Sequence, residues 1–105
     1  MKKEYDKLVR DRIPEIIEEA GKSARVFQVS GNLLREYALK KLREEIEEFI
    51  ENPCAEEAAD VMEILNFICH RLGIRETTIL AETLSKRVKR GGFEQGFVLD
   101  WVEEK

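Results

Sequence analysis

Apolar positions recur at helical spacing along four stretches of the chain, with turn residues between them. Pro14 fits the first turn of a short helix running through Glu15 to Ala20, since a proline there loses no needed hydrogen bond, and Gly21 stops it. Ser30 is placed as N-cap of a long helix from about Asn32 to Glu51. After a break at Asn52-Pro53, a third helix is expected from Pro53 or Cys54 to Leu72, closed by Gly73. A fourth runs from about Arg75 to Lys89, with Leu80, Leu84 and Val88 on one stripe and Gly91-Gly92 at its end. Ala24 to Val29 alternates weakly, and so do Phe97, Leu99 and Trp101. The two segments can pair as a short strand element.

The second and third helices break the expected segregation of charge. At about 100° per residue, Leu34, Ala38, Leu42, Ile46 and Phe49 fill one arc of the second helix, and Glu45 falls among them. Glu48 lies at the arc's edge, whereas Glu44, Glu47 and Glu51 are expected to be ordinary solvated acids. In the third helix Glu57 sits near the middle of the arc of Val61, Ile64, Leu65 and Ile68, with Asp60 at its boundary. The three-residue intervals Glu45/Glu48 and Glu57/Asp60 place each pair on neighbouring turns of one face. The short break lets the helices fold back antiparallel and bring all four carboxylates together. Unpaired charge on a buried stripe costs several kcal/mol. Four converging hard oxygen ligands point to a divalent cation such as Mg2+, with a buried network of ion pairs to Lys or Arg as the competing explanation.

Composition narrows the classes. A chain of 105 residues fits one domain, and one this small gains from pairing with a second copy. The formal net charge of -4, with 38% charged residues of both signs, argues against a partner made of nucleic acid polymer. No apolar run approaches the roughly 18 residues of a membrane span. Met1-Lys2-Lys3-Glu4-Tyr5-Asp6 lacks the apolar stretch of a signal peptide. Cys54 and Cys69 have neither metal-ligand nor redox spacing, and His70 is expected at the surface. A reduced, cytoplasmic protein with no membrane partner is the simplest expectation.

Mg2+ keeps several waters and completes its shell with substrate phosphates, and such ions stabilise displacement at phosphorus. A phosphate site also needs basic groups. Lys7, Arg10 and Arg12 near the start, and Lys86, Arg87, Lys89 and Arg90 before the glycines, offer them. Lys86 and Arg90 share a helix face at i, i+4 and are candidate phosphate donors. The same cluster also suits a solvated helix end favoured by the helix dipole.

Glu45-Ile46-Glu47-Glu48 followed by Glu57-Ala58-Ala59-Asp60 resembles the ExxE and ExxD motifs of the MazG-like all-α nucleoside triphosphate pyrophosphohydrolases. The stretches Lys7-Leu8-Val9-Arg10-Asp11-Arg12-Ile13-Pro14 and Lys89-Arg90-Gly91-Gly92-Phe93-Glu94 look like those of a small single-domain branch. Members of that branch are described as phosphoribosyl-ATP pyrophosphohydrolase-like or as house-cleaning enzymes for nonstandard nucleotides. The resemblance covers nearly the whole chain. It implies an all-α core of about four helices, assembled as a dimer or tetramer. It implies Mg2+, with Mn2+ as a substitute, held by Glu45, Glu48, Glu57 and Asp60 at the catalytic centre. It also implies cleavage of a nucleoside triphosphate to the monophosphate and pyrophosphate. Lys7, Arg10, Arg12, Lys86 and Arg90 become candidate substrate-binding residues. The expected fold is an all-α antiparallel bundle of about four helices, with the short β element as an addition. Two other functions stay open: hydrolysis of phosphoribosyl-ATP, and a non-catalytic helical interaction module.

Overall fold

Four helices and no strand make up the computed structural model, which describes residues 1–105: α1 (Ile13–Glu19), α2 (Gly31–Glu51), α3 (Ala55–Arg71) and α4 (Glu76–Arg90). Each boundary lies within a residue or two of its sequence expectation, because glycine and proline set the ends. At the close of α3, Gly73 adopts φ +75 and donates to the His70 carbonyl at 3.1 Å, while Ile74 donates to Cys69 at 2.9 Å. That pair of bonds is a Schellman closure, and its left-handed residue favours glycine.

One local expectation needs correction, and a second holds in position only. Pro53 lies outside α3, ahead of the N-cap Cys54, and it acts instead on the residue before it. A proline disfavours helical backbone at its predecessor, and Asn52 leaves α2 at φ -138, ψ 77. Ser30 occupies the N-cap of α2 with extended backbone, but its side chain makes no capping bond.

The expected two-stranded element does not form. Residues 24–29 and 97–102 carry no strand, and no backbone hydrogen bond joins them. An isolated ribbon of two strands is marginal in water unless one face packs on apolar surface. Here Val26, Phe27, Phe97, Leu99 and Trp101 are all exposed.

Within one chain, extensive helix packing is confined to α2 and α3. They run antiparallel: Gly31 and Arg35 at the start of α2 face Phe67 and Leu72 at the end of α3 across a cleft of about 260 Å³. At the other end Phe49 meets Val61 and Met62. Ala38, Glu45 and Ile64 are the buried residues of the chain, and none of them is completely enclosed. The α4 helix and the tail extend away from this hairpin, and the molecule measures 65 × 31 × 25 Å. Its radius of gyration of 18.9 Å compares with about 13 Å for a close-packed chain of this length. No helix is long and apolar enough to cross a membrane.

Candidate metal centre

Five carboxylates gather at the helix–helix seam near the turn that joins α2 to α3. From α2 come Glu44, Glu45 and Glu48, and from α3 come Glu57 and Asp60. Glu45 is their hub. Its carboxylate lies within 4.8 Å of oxygens of Glu44 and Glu48, and equally of Glu57 and Asp60. The four acids of the two sequence motifs therefore share one site, because the three-residue intervals turn both pairs toward the helix–helix seam.

Glu45 is 5% exposed, more enclosed than any large apolar side chain in the protein. Lys41 donates to its Oε1 at 2.9 Å, while Oε2 is buried with no hydrogen-bond partner. Glu57 Oε2 is buried and unpartnered as well. Two orphaned carboxylate oxygens, one from each helix, are costly in a folded protein unless something meets them. Basic side chains satisfy part of the cluster. Arg10 donates to Asp60 at 2.8 Å, and Lys7 and Lys41 reach Glu44 at 3.1 and 3.5 Å. Five acids (Glu44, Glu45, Glu48, Glu57, Asp60) thus face three cations (Lys7, Arg10, Lys41), leaving two negative charges in excess when all are ionised.

The crowding shows in the proton affinities. The charge of Glu45, followed by partial burial and the charges of Glu44 and Glu57, raises the Glu48 pKa above its ordinary value. Burial acts to raise Glu44 too, but the Lys7 hydrogen bond and the Lys41 charge outweigh it and pull that carboxyl down. For Lys41, burial opposes the ammonium, and Glu45 and Glu44 overcome it, so its pKa rises. Lys41 stays charged and Glu44 stays ionised, while Glu48 is the acid that feels the unbalanced charge.

The basic candidates separate into two groups. Arg10 touches a ligand candidate directly, and Lys7 touches the adjoining Glu44. Arg12 pairs locally with Glu15 at 3.3 Å, away from the acids. Lys86 and Arg90 lie on exposed α4 and make no ion pair, while Arg87 binds Glu94 at 3.0 Å. Two residues of the centre escaped the sequence reading. Glu44 is half-buried and ion-paired rather than an ordinary solvated acid, because the N-terminal segment crosses it. Lys41 is the counter-ion of Glu45. Its signal was the i, i+4 interval to Glu45 and the i, i+3 interval to Glu44.

The donor set suits a hard divalent cation: all oxygen, carboxylate-rich, and with uncompensated charge of the matching magnitude. No protein-family model, curated protein or solved structure matches this chain.

Proposed function

We propose that this protein hydrolyses a nucleoside triphosphate to the monophosphate and pyrophosphate with a divalent cation, in the manner of the MazG-like enzymes its motifs resemble. Glu45, Glu48, Glu57 and Asp60 would hold Mg2+, with Mn2+ as a substitute. The observation that carries the reading is the pair of buried, unpartnered oxygens on Glu45 and Glu57, set in a cluster two charges short of balance. A network of ion pairs alone leaves both features without a cause. Bound there, the ion would neutralise the acids, polarise the phosphate oxygens and ease the ionisation of water.

The remaining chemistry falls to the chain itself. Without added positive charge the five carboxylates repel a polyphosphate, so cation binding precedes substrate binding. Lys41, held between Glu44 and Glu45 from within α2, keeps the Glu45 carboxylate in one orientation. Lys7 and Arg10 place positive charge at the rim, where phosphate oxygens approach. A panel of standard and nonstandard nucleoside triphosphates with Mg2+ or Mn2+, assayed for pyrophosphate release, tests the reading. Phosphoribosyl-ATP belongs in the same panel, and turnover of it alone would assign the histidine-pathway reaction instead. No turnover of any nucleotide by folded protein would sink the proposal.

The active form is an assembly of copies of this chain, a dimer or a tetramer. A folded monomer of this mass exposes about 6,100 Å², whereas this chain exposes 10169 Å². The excess of roughly 4,000 Å² per chain, about 8,000 Å² for a pair, exceeds the roughly 2,000–5,000 Å² of most obligate interfaces. Leu80, Leu84 and Val88 form an exposed apolar stripe on α4, and Phe97, Leu99 and Trp101 are exposed in the tail. Burial of that surface against a second copy supplies the core that one chain lacks. Sedimentation equilibrium checks it, with a particle of 12.3 kDa as the contrary result.

A further inference from the structure

The segment before α1 has no regular structure, yet it makes every side-chain hydrogen bond that joins distant parts of the chain. Asp6 accepts from the Tyr37 hydroxyl at 2.6 Å, Lys7 donates to Glu44 at 3.1 Å, and Arg10 donates to Asp60 at 2.8 Å. The first two anchors lie on α2 and the third on α3. The segment therefore straps the hairpin across the rim of the acid cluster. Its attachments differ in kind. Asp6 and Lys7 hold residues outside the four-acid motif set, whereas Arg10 holds Asp60, one of the four.

We propose that Arg10 is an exchangeable cation: it neutralises Asp60 in the metal-free protein and transfers to a phosphate oxygen when a divalent ion takes Asp60. The inference rests on the reading of the four acids as metal ligands. A guanidinium cannot shed its proton, so Arg10 and a divalent ion compete for the same carboxylate. The competition is mild, because both partners reach solvent: the Arg10 side chain is 55% exposed and that of Asp60 33%. Exposed pairs of this kind contribute little and give way readily. Only one guanidinium nitrogen of Arg10 donates to Asp60, so the other donors already point elsewhere. Released from Asp60, Arg10 remains tethered through Lys7 and Asp6 at the rim, where a planar fork suits bidentate contact with a phosphate. Lys41 cannot play this part. It is held by two acids of its own helix, with its side chain 17% exposed.

The test compares wild type with Arg10→Gln and Arg10→Lys by titration calorimetry, with helicity checked by circular dichroism. The probes are Mn2+ alone, then imidodiphosphate (a non-hydrolysable pyrophosphate) at saturating Mn2+. Exchange requires opposite responses in Arg10→Gln: Mn2+ binds about two- to fivefold tighter, the size of a lost exposed ion pair. Imidodiphosphate then binds about tenfold or more weakly, through the loss of a charge-assisted contact. Arg10→Lys keeps Mn2+ affinity near wild type and recovers only part of the anion affinity. If Arg10→Gln weakens both probes, or leaves Mn2+ affinity unchanged, Arg10 is a structural tie and the exchange is wrong. Wild type that binds Mn2+ no better than Asp60→Asn sinks the metal reading itself, a result the two probes keep separate from failure of the exchange alone.

Discussion

In the seam of the α2–α3 hairpin a glutamate is 5% exposed, whereas on α4 and the tail Val88, Phe97 and Trp101 are 87, 90 and 70% exposed. One region encloses charge and the other displays apolar surface, the reverse of what burial energetics favours for a finished monomer. On the proposed function the hairpin would carry the chemistry: Lys7, Arg10 and Lys41 answer part of its acidic charge, and a divalent ion would answer the rest. The α4 arm would carry assembly, its exposed stripe covered by a second copy. Each region leaves something open, two buried oxygens without a partner in one and an uncovered apolar stripe in the other.

The sharpest way to break the comparison is to spoil the arm. Replacing Leu80 and Leu84 together with Asp should dissolve the assembly and lower thermal stability by several kcal/mol, given about 1.5–3 kcal/mol for each large apolar side chain buried. Light scattering and a thermal melt measure it, and an unchanged particle mass would show that α4 faces solvent after all. The hairpin should respond in the opposite sense. Glu45→Gln or Asp60→Asn should leave mass and helicity intact while reducing turnover at least about a hundredfold, since lesser changes around a metal already cost 10–100-fold. Lys41→Met keeps the aliphatic stem but strips Glu45 of its counter-ion. Removing one partner of an enclosed charged pair costs about 2 kcal/mol, seen as a lower urea midpoint in metal-free protein.

A subtler discriminator is Glu48. Its folded pKa is raised above the ordinary 4.5, chiefly by the Glu45 charge, so the native state prefers the neutral form. That contribution is complete below the unfolded value and is lost as pH rises through the folded one. Metal-free wild type should therefore lose more stability between pH 4 and pH 7 than Glu48→Gln, which cannot ionise there. Added Mg2+ should reverse the order at neutral pH by raising the melting temperature of wild type more than that of the variant. Equal pH slopes for the two proteins would mean that Glu48 feels no crowding. The smallest effect belongs to Arg87→Ala. Its pair with Glu94 is well exposed on both sides, so stability should change by no more than about 0.5 kcal/mol.

Much of the fold was legible because its punctuation is local. Gly21, Gly73 and Gly91 end helices where a positive φ is needed, and Pro53 stops α2 through the residue before it. The inward aim of Glu45 and Glu57 was legible too, as helical periodicity fixes which face a side chain shares. Residues drawn in by long-range contacts were harder to read. Glu44 looked solvated because nothing near it in sequence shows that Lys7 returns to it from the N-terminal segment. The extended stretch around Val26 and Phe27 has strand-forming residues, but strand formation needs a partner that local pattern cannot supply. Arg12, Lys86 and Arg90 share the composition of a phosphate site, yet within one chain they stand apart from the acids.

The sequence by itself determined the four helices, their ends, and the faces on which the acid pairs lie, because turn chemistry and the helical repeat act over a few residues. Only the tertiary structure decided that Glu45 joins two triads of carboxylates, that Lys41 and Arg10 answer part of that charge, and that oxygens of Glu45 and Glu57 go unanswered. Those outcomes depend on how α2 and α3 close against each other and on where the N-terminal strap crosses them. Both are set by packing between distant segments rather than by any local pattern.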